Sequence, residues 1–328
     1  MTTTSAAGGR LLADVGGTNA RFAWQAAPGG TIGDVIVLPC ADHATLADAI
    51  AAYLTKVGRR TPAECAIAIA NPVTGDEVRM TNHHWAFSIS ALQAQCGFSR
   101  LRVLNDFTAL ALALPTLSRD ELRQVGGDAP VRDTAIALIG PGTGLGVSGL
   151  VPDGRGGWLP LQGEGGHATL AGRTPREHAV LQQLDARYGH ASGERAVSGQ
   201  GLIDVHQALQ AIDTPLQPRR ELTAAQIVQG ALEHGDAGCL EALDLFCAFL
   251  GTAAGNLALT LGARGGVYIG GGIVPRLGDA FDNSPFRSRF EAKGRFAGYL
   301  AAIPVFVIDA KQSPALLGAA AALDRHFD

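Results

Sequence analysis

The sequence has few of the residues that mark a disulfide-rich, metal-clustering or nucleic-acid-binding protein. Only 5 of its 328 residues are cysteines. They are scattered and include no Cys-x-x-Cys pair, so neither a disulfide framework nor a cysteine-based zinc site is supported. Aromatic residues make up 6% of the chain and charged residues 17%. The 26 basic and 30 acidic side chains give a net charge of −4, which argues against binding nucleic acid through bulk positive charge.

A secretory signal and a membrane span are also not expected. The first residues, MTTTSAAGGR, have no basic start followed by an apolar stretch. The run 245–263 has no charged residue and is long enough to span a membrane. It carries polar residues, a Gly251-x-x-x-Gly255 step and few large aliphatic residues, which favours a small-residue helix buried inside a soluble protein. We therefore expect a cytoplasmic protein that works without a membrane.

Glycine, in contrast, is abundant. The chain has 43 glycines, and many of them fall in four clusters, at 16–17, 140–149, 163–166 and 270–272. Short apolar runs alternate with segments of helical spacing, which predicts an α/β protein with mainly parallel or mixed sheets. The length predicts about two domains.

Two segments have the same order of apolar runs and turn residues, which predicts a β-hairpin in each. Residues 11–24 and 135–151 each have an apolar strand, a turn with glycine and threonine, and a second apolar strand. This indicates two related halves that face a common ligand, with chance similarity between glycine-rich turns as the alternative. A helix start is predicted at Thr174, which forms a capping box with Glu177 and is followed by Pro175 at the first helical position; Gly189 is expected to end that helix.

The glycine-rich turns follow apolar strands, where backbone N–H groups can approach a phosphate closely. The common nucleotide motifs are missing, because the chain has no Gly-Lys dipeptide for a Walker loop and the 140–149 cluster has the wrong spacing for a Rossmann turn. Asp14 could hold Mg²⁺ through its waters or cap its own turn. Thr18 and Thr143 could each donate a hydroxyl to a phosphate or satisfy the turn backbone. Tight hairpins without a ligand are the alternative for all these turns.

Polar residues elsewhere suit a sugar. Asp106 follows an apolar strand, where α/β sheets place ligand chemistry; it could take a proton from an attacking hydroxyl, cap the next helix, or do both. Glu164 and His167 lie in a loop too rich in glycine to pack a core, and they fit hydrogen bonds to a polyol better than a metal. Glu194 could add a second carboxylate, although its spacing alone predicts a surface charge.

The motifs together resemble the bacterial glucokinase family, within the sugar kinase, Hsp70 and actin superfamily. The resemblance runs through LLADVGGTNARF, TNHHWAFSI, LNDFTALALALP, GPGTGLGVSGLV, LQGEGGHATLA and YIGGGIVPRL. It implies an actin-like ATPase (ribonuclease H-like) duplicated α/β fold with two domains around a cleft. The expected small domain comprises residues 1–112 plus 312–328, and the large domain 113–311. The implied activity is ATP-dependent phosphorylation of the 6-hydroxyl of D-glucose, with Mg²⁺ dependence and a homodimer.

The resemblance also assigns roles to individual residues. Asp106 matches the family's catalytic base, and Asp14 is expected to hold Mg²⁺, through water. The matching sugar-binding residues are Asn105, Glu164, His167 and Glu194. The matching phosphate turns are Asp14, Gly16, Gly17 and Thr18, and Gly142, Thr143 and Gly144. The matching adenosine residues are Gly270, Gly271 and Gly272. The related ROK (repressor, open reading frame, kinase) group has a cysteine-rich zinc motif after its Glu-x-Gly-His. No zinc is expected here, because no cysteine lies between Cys96 and Cys239.

Two other functions stay open at this point. The first is a kinase for another hexose, such as fructose, mannose or an N-acetylated amino sugar, because its loops would look alike. The second is a non-catalytic sugar sensor with the same fold. The presence of Asp106 beside all four expected sugar ligands argues against a sensor, since binding alone requires no base.

Overall fold

The structure is a computed structural model, which describes residues 8–81, 83–216, 218–310 and 313–324. The described residues form thirteen strands and thirteen helices, besides short 3₁₀ turns. The strands are β1 (Arg10–Val15), β2 (Asn19–Gln25), β3 (Ile32–Pro39), β4 (Glu64–Ile69), β5 (Glu77–Arg79), β6 (Ala86–Ser88), β7 (Arg100–Asn105), β8 (Leu122–Gln124), β9 (Ile136–Pro141), β10 (Leu145–Pro152), β11 (Trp158–Gly163), β12 (Val267–Ile269) and β13 (Val305–Ile308). The helices are α1 (Leu46–Lys56), α2 (Ile89–Cys96), α3 (Asp106–Ala113), α4 (Pro175–Tyr188), α5 (Gly193–Ala196), α6 (Gly199–Asp213), α7 (Ala224–Leu232), α8 (Ala237–Leu261), α9 (Val274–Leu277), α10 (Asp279–Asp282), α11 (Phe286–Glu291), α12 (Ala297–Ala302) and α13 (Pro314–Leu323).

The chain forms two compact units. The first unit comprises residues 1–117 and 310–328, and the second comprises residues 118–309. The domains expected from the sequence, 1–112 plus 312–328 and 113–311, stay a prediction. Of those ranges, residues 1–7, 82, 217, 311–312 and 325–328 lie outside the described residues.

The first unit is built on a five-stranded sheet in the order β3-β2-β1-β4-β7. β1 and β2 pair antiparallel as the predicted hairpin, whereas β1, β4 and β7 run parallel. Successive residues of β1 contact different clusters, because side chains alternate between the faces of a strand. Leu11 belongs to the larger cluster with Tyr53 of α1, and Leu12 packs with Leu316 of α13. The sheet is therefore covered on both faces by helices.

The second unit is built on a six-stranded sheet in the order β11-β10-β9-β12-β13-β8. β9 and β10 form the second predicted hairpin, and β9, β12 and β13 run parallel. Five strands thus repeat the first sheet, with three antiparallel neighbours followed by two parallel strands. β8 adds an antiparallel edge strand. The duplication predicted from two hairpins extends to a whole sheet.

α8 is the helix that the uncharged run 245–263 predicts. Its N-cap is Asp236, whose side chain accepts the N–H of Cys239 at 3.0 Å, and it ends at Gly262, which has a φ of 61°. Among the described residues it is long and apolar enough to cross a membrane, but 72% of its apolar window is buried inside the protein. It belongs to the core of the second unit and contacts α6, α7 and α11. The predicted buried core helix is confirmed.

The predicted helix start at Thr174 is confirmed, with one difference in the cap. Thr174 Oγ1 accepts the N–H of Glu177 at 3.2 Å, and Gly189 ends the helix with a φ of 73°. The reciprocal bond of a capping box is absent from the bonds of the described residues. Glu177 instead accepts the N–H of Arg173 at 2.7 Å and binds Arg289. Glu177 thus pairs with Arg289 instead of forming the second bond of the predicted capping box.

Candidate active site

The predicted residues of the first unit lie at one edge of its sheet. Val15, Ile69 and Asn105 are paired in register across β1, β4 and β7. Because these strands are parallel, their carboxyl ends meet at the same edge, where α/β sheets bind ligands. The structure thus brings the phosphate turn after β1 to the same edge as Asp106, which follows β7.

Asp14 is held by two side chains. It lies opposite Arg21 in the β1–β2 pair, and its Oδ2 accepts hydrogen bonds from Arg21 Nη1 at 3.1 Å and from Ser313 Oγ at 2.8 Å. The turn itself is closed by the N–H of Gly16, which donates to the carbonyl of Asn19 at 3.0 Å. Within the described part of the chain, Asp14 makes no bond of the kind that the alternative, a cap of its own turn, requires. Its carboxylate is oriented beside the turn by Arg21 of the adjacent strand and by the distant Ser313.

The cap of α3 is Asn105, and the predicted N-cap role of Asp106 is wrong. Asn105 has extended backbone with ψ of 146°, and its Oδ1 accepts the N–H groups of Phe107 at 2.9 Å and Thr108 at 3.2 Å. The cap is the last residue before the helical conformation begins, which places Asp106 at the first helical position. There Asp106 is half-buried, and its Oδ1 accepts the N–H of Phe107 at 2.9 Å. The partial positive charge of a helix N-terminus stabilises a carboxylate at this position.

The sequence patterns do not single out two residues that orient this edge. Asn71, 9% exposed, accepts the N–H₂ of Asn105 through its carbonyl at 3.4 Å and the N–H of Thr81 through Oδ1 at 3.1 Å. A polar residue directly after a buried strand is a signal that could have found it. Ser313 has no comparable signal, because it lies 299 positions from the Asp14 that it contacts.

In the second unit, the predicted phosphate turn joins β9 to β10. The N–H of Gly142 donates to the carbonyl of Gly144 at 2.8 Å, and the carbonyl of Gly142 accepts the N–H of Gly199 at 2.9 Å. Thr143 is exposed at the tip. A Cβ atom built on Gly142 meets no atom within 4 Å, so the space beside this turn is open to a ligand.

The predicted adenosine glycines lie beside the same turn. Ile269 of β12 pairs with Ile139 of β9, and the N–H of Gly270 donates to the carbonyl of Ile139 at 2.9 Å. Gly271 has a φ of 79°, and a Cβ there would lie 2.3 Å from the carbonyl oxygen of Pro141. Glycine is therefore required at this position by both backbone conformation and close approach. The two predicted glycine clusters meet at one edge of the second sheet.

The predicted sugar residues of the second unit differ in their surroundings. Glu164 and His167 are exposed on the loop that contains the 3₁₀ turn Gly165–His167, where the N–H of His167 donates to the carbonyl of Glu164 at 3.0 Å. Glu194 is half-buried in α5, and its Oε2 accepts the N–H of Leu145 at 2.9 Å. The alternative of a solvated surface charge is therefore wrong for Glu194.

The acidic residues of the site suit a metal ion that is held mainly by water and by phosphate oxygens, rather than one enclosed by side chains. In the ranges that the structure describes, no group of three or more His, Cys, Asp or Glu residues could enclose a metal ion. Mg²⁺ in phosphoryl-transfer sites does not need such a group, because it keeps several waters and takes one or two carboxylates plus phosphate oxygens. Asp14, a half-buried carboxylate beside a glycine turn, fits that requirement. The prediction that the chain holds no zinc stays a prediction.

The chain is similar to known glucokinases both in sequence and in structure. The family model described as Glucokinase matches residues 11–326. A curated glucokinase of Chromobacterium violaceum is 57% identical over 97% of this chain and 90% of its own length, and one of Aromatoleum aromaticum is 56% identical over 96% and 94%. A crystal structure of a glucokinase from an Antarctic psychrotroph is 36% identical, with a TM-score of 0.85 over 96% of this chain and 98% of that one. A Balamuthia mandrillaris glucokinase in complex with glucose, 21% identical, shares the fold with a TM-score of 0.80 over 97% of this chain and 94% of that one.

The repeated sheets, the glycine turns at their edges and these likenesses define an ATP-dependent sugar kinase with the actin-like ATPase fold. The chain belongs to the glucokinase family. The predicted fold class and family are thus confirmed, whereas the roles of the individual site residues stay predictions.

Proposed function

We propose that the chain transfers the γ-phosphoryl group of ATP to the 6-hydroxyl of D-glucose, with Asp106 as the general base. The observation that carries the residue assignment is the position of Asp106, half-buried at the first turn of α3 and at the carboxyl end of the parallel strand β7. Its carboxylate takes the proton of the 6-hydroxyl. The sugar oxygen then forms a bond to the γ-phosphorus, the bond to the bridging oxygen breaks, and glucose 6-phosphate and ADP are the products.

Four residues hold the sugar in this proposal, and each can offer what a polyol needs. Carboxylates such as Glu164 and Glu194 accept hydrogen bonds from hydroxyl groups, and the imidazole of His167 can donate or accept. The side chain of Asn105 is already oriented by its bonds to α3. Fixing the ring in this way turns a bimolecular encounter into a positioned attack, which is the main contribution that phosphoryl transfer asks of a protein.

The phosphates are assigned to the turns at 14–18 and 142–144, and the adenosine to residues 270–272. Open space beside Gly142 and Gly272 supports the assignment. Asp14 is the residue that would hold Mg²⁺ through water, and bound Mg²⁺ would supply charge neutralisation on the phosphate oxygens. Arg21 and Ser313 keep the Asp14 carboxylate beside its turn. We also propose a cytoplasmic location and a homodimer, following the family resemblance.

Replacing the base tests the mechanism. Asp106→Ala is expected to lower kcat by roughly 10²–10⁴-fold, the usual contribution of a positioned base, while the Kd for glucose changes little. ADP release with saturating glucose and Mg-ATP measures the first, and calorimetric titration measures the second. Asp128→Ala, at an exposed position, is the control and should keep wild-type turnover. Near-normal turnover of Asp106→Ala with intact glucose binding would exclude Asp106 as the base.

A panel of hexoses tests the substrate. With Mg-ATP and glucose, fructose, mannose or N-acetylglucosamine, ADP release should give the highest kcat/KM for glucose. A higher value for another hexose would identify that sugar as the substrate. Measurable sugar binding without turnover of any hexose would instead make the chain a sugar sensor.

A further inference from the structure

The backbone of Leu145 is contacted by two segments that are far from it in the sequence. Its N–H donates to Oε2 of Glu194 at 2.9 Å. On its other side, a Cβ atom built on Gly166 would lie 2.0 Å from the Leu145 carbonyl oxygen. Leu145 directly follows the turn at 142–144 and its side chain is buried. The loop of Glu164 and His167 and the carboxylate of Glu194 are therefore packed on the residue that directly follows the turn.

The two flanking glycines of the turn have different surroundings. A Cβ built on Gly144 would lie 2.3 Å from Oε2 of Glu194 and 3.2 Å from its carboxylate carbon, whereas one built on Gly142 meets nothing within 4 Å. Gly144 does not have the left-handed backbone conformation that favours glycine. The volume that a side chain at 144 would need is occupied by the carboxylate of Glu194, and this accounts for a glycine at that position.

We propose that Gly144 and the N–H of Leu145 position the Glu194 carboxylate for the sugar, and so couple the sugar site to the phosphate turn. This proposal rests on the proposed function, in which Glu194 binds glucose. The Leu145 N–H binds Oε2, and in this proposal Oε1 is the oxygen that accepts a hydrogen bond from a sugar hydroxyl. Gly144 is a positioning residue: it acts on the sugar only through Glu194.

Coupling of this kind is reciprocal. If phosphates bound at the turn change the affinity for glucose by some factor, glucose changes the affinity for the nucleotide by the same factor. Gly144 and Leu145 are the physical connection between the two sites. If the turn moves, the N–H of Leu145 moves with it, and so does the gap beside Gly144 that holds the Glu194 carboxylate.

The test compares Gly144→Ala with Gly142→Ala, the same substitution two residues apart in one turn. Because the atom nearest the new methyl group is the end of a flexible side chain, Gly144→Ala should fold and displace the carboxylate. Loss of a hydrogen bond to a charged group weakens binding by about ten- to hundredfold, so we expect that increase in the calorimetric Kd for glucose without nucleotide. Gly142→Ala should change this Kd by less than about twofold. Its main effect should instead be on the KM for ATP, because Gly142 is assigned to the phosphates. Equal glucose affinities of the two variants would overturn the proposal.

Two further variants separate this proposal from the proposed function. Glu194→Gln should weaken glucose binding; if it does not, the assignment of Glu194 to the sugar fails and the coupling fails with it. If Glu194→Gln weakens glucose binding but Gly144→Ala does not, Glu194 still binds the sugar. In that case only the positioning role of Gly144, and the coupling that depends on it, fails. In a Glu194→Ala background, Gly144→Ala should have no further effect on glucose binding. If Gly144→Ala alone does not fold, Glu194→Ala in the same chain should restore folding, and failure to restore it would also overturn the proposal.

Discussion

Single side chains in this protein are fixed by partners that lie far away in the sequence. Asp14 is oriented by Ser313, and Glu177 binds Arg289 with both carboxylate oxygens, at 2.5 and 2.8 Å. Glu177 is 2% exposed, so its charge depends on that partner. Burial alone would raise the pKa of Glu177, but the hydrogen bonds from Arg289 and from the N–H of Arg173 hold it below its usual value of 4.5.

Glu177→Gln should destabilise the protein and reduce its sensitivity to acid. Breaking a buried ion pair costs about 3–5 kcal/mol of unfolding free energy near neutral pH. Because folding lowers the pKa of Glu177, the unfolded chain binds the proton more readily. The stabilisation is therefore present above pH 4.5 and is lost as the pH falls through the lower folded-state pKa.

Urea unfolding between pH 7 and pH 3 measures this effect. The difference in unfolding free energy between wild type and Glu177→Gln should narrow as the pH falls. The control, Glu221→Gln at an exposed position, should stay within about 0.5 kcal/mol of wild type. A difference that stays constant over the whole range would show that the Glu177 charge does not contribute.

At the scale of elements, the Gly251-x-x-x-Gly255 step is a contact between helices inside the second unit. A Cβ on Gly251 would lie 2.4 Å from the carbonyl oxygen of Phe286, and one on Gly255 would lie 2.7 Å from that of Phe290. Both carbonyls belong to α11. The pattern of small residues predicts a close helix contact, but it does not say which helix approaches. Packing of α11 against α8 supplies that answer.

Gly251→Ala should therefore destabilise the protein. The new methyl group meets backbone atoms that cannot rotate away, and overpacking of this kind costs about 1–3 kcal/mol. The matched control is Gly298→Ala in α12, where a Cβ meets nothing within 4 Å; it should be neutral or stabilise the protein by up to about 1 kcal/mol. Thermal unfolding of the two variants measures the difference. Equal transition midpoints would mean that α8 and α11 separate without loss of stability.

At the scale of the whole molecule, the chain returns to its first unit at its end. Residues 118–309 form the second unit. α13 follows them in the chain and packs on α3, β1 and β4 of the first unit. Asp324 then binds Arg10 at 2.5 Å, and the carbonyl of Leu323 accepts a hydrogen bond from Arg100 at 2.7 Å. The core of the first unit is thus completed by residues from both ends of the sequence.

Gly318→Ala tests this completion. A Cβ at Gly318 would lie 1.7 Å from the carbonyl oxygen of Ala109 in α3, so α13 has to move away from α3, which disturbs its packing on β1 and β4. We expect a loss of about 1–3 kcal/mol or more, seen as faster hydrogen exchange in β1 and β4. Gly298→Ala again serves as the control. Wild-type exchange in both strands would contradict the packing of α13 described here.

Local sequence patterns predict some features of this protein, and long-range packing decides others. The hairpins at both glycine turns, the start of α4 and the buried character of α8 follow from apolar periodicity and backbone preference, which act over a few residues. The same local reasoning assigns Asp106 to the helix cap, where Asn105 lies. It misses Asn71, whose role depends on an adjacent strand.

The sequence by itself determined the α/β class, the two hairpins and, through its motifs, the glucokinase family. Tertiary structure alone decided which glycines lie against other segments of the chain and which carboxylates are oriented by distant partners. Gly144 meets Glu194, and Gly318 meets Ala109, only because distant segments pack within a few ångströms of each other. The abundance of glycine is visible in the composition, but the need for it at a given position depends on atoms that the fold brings there.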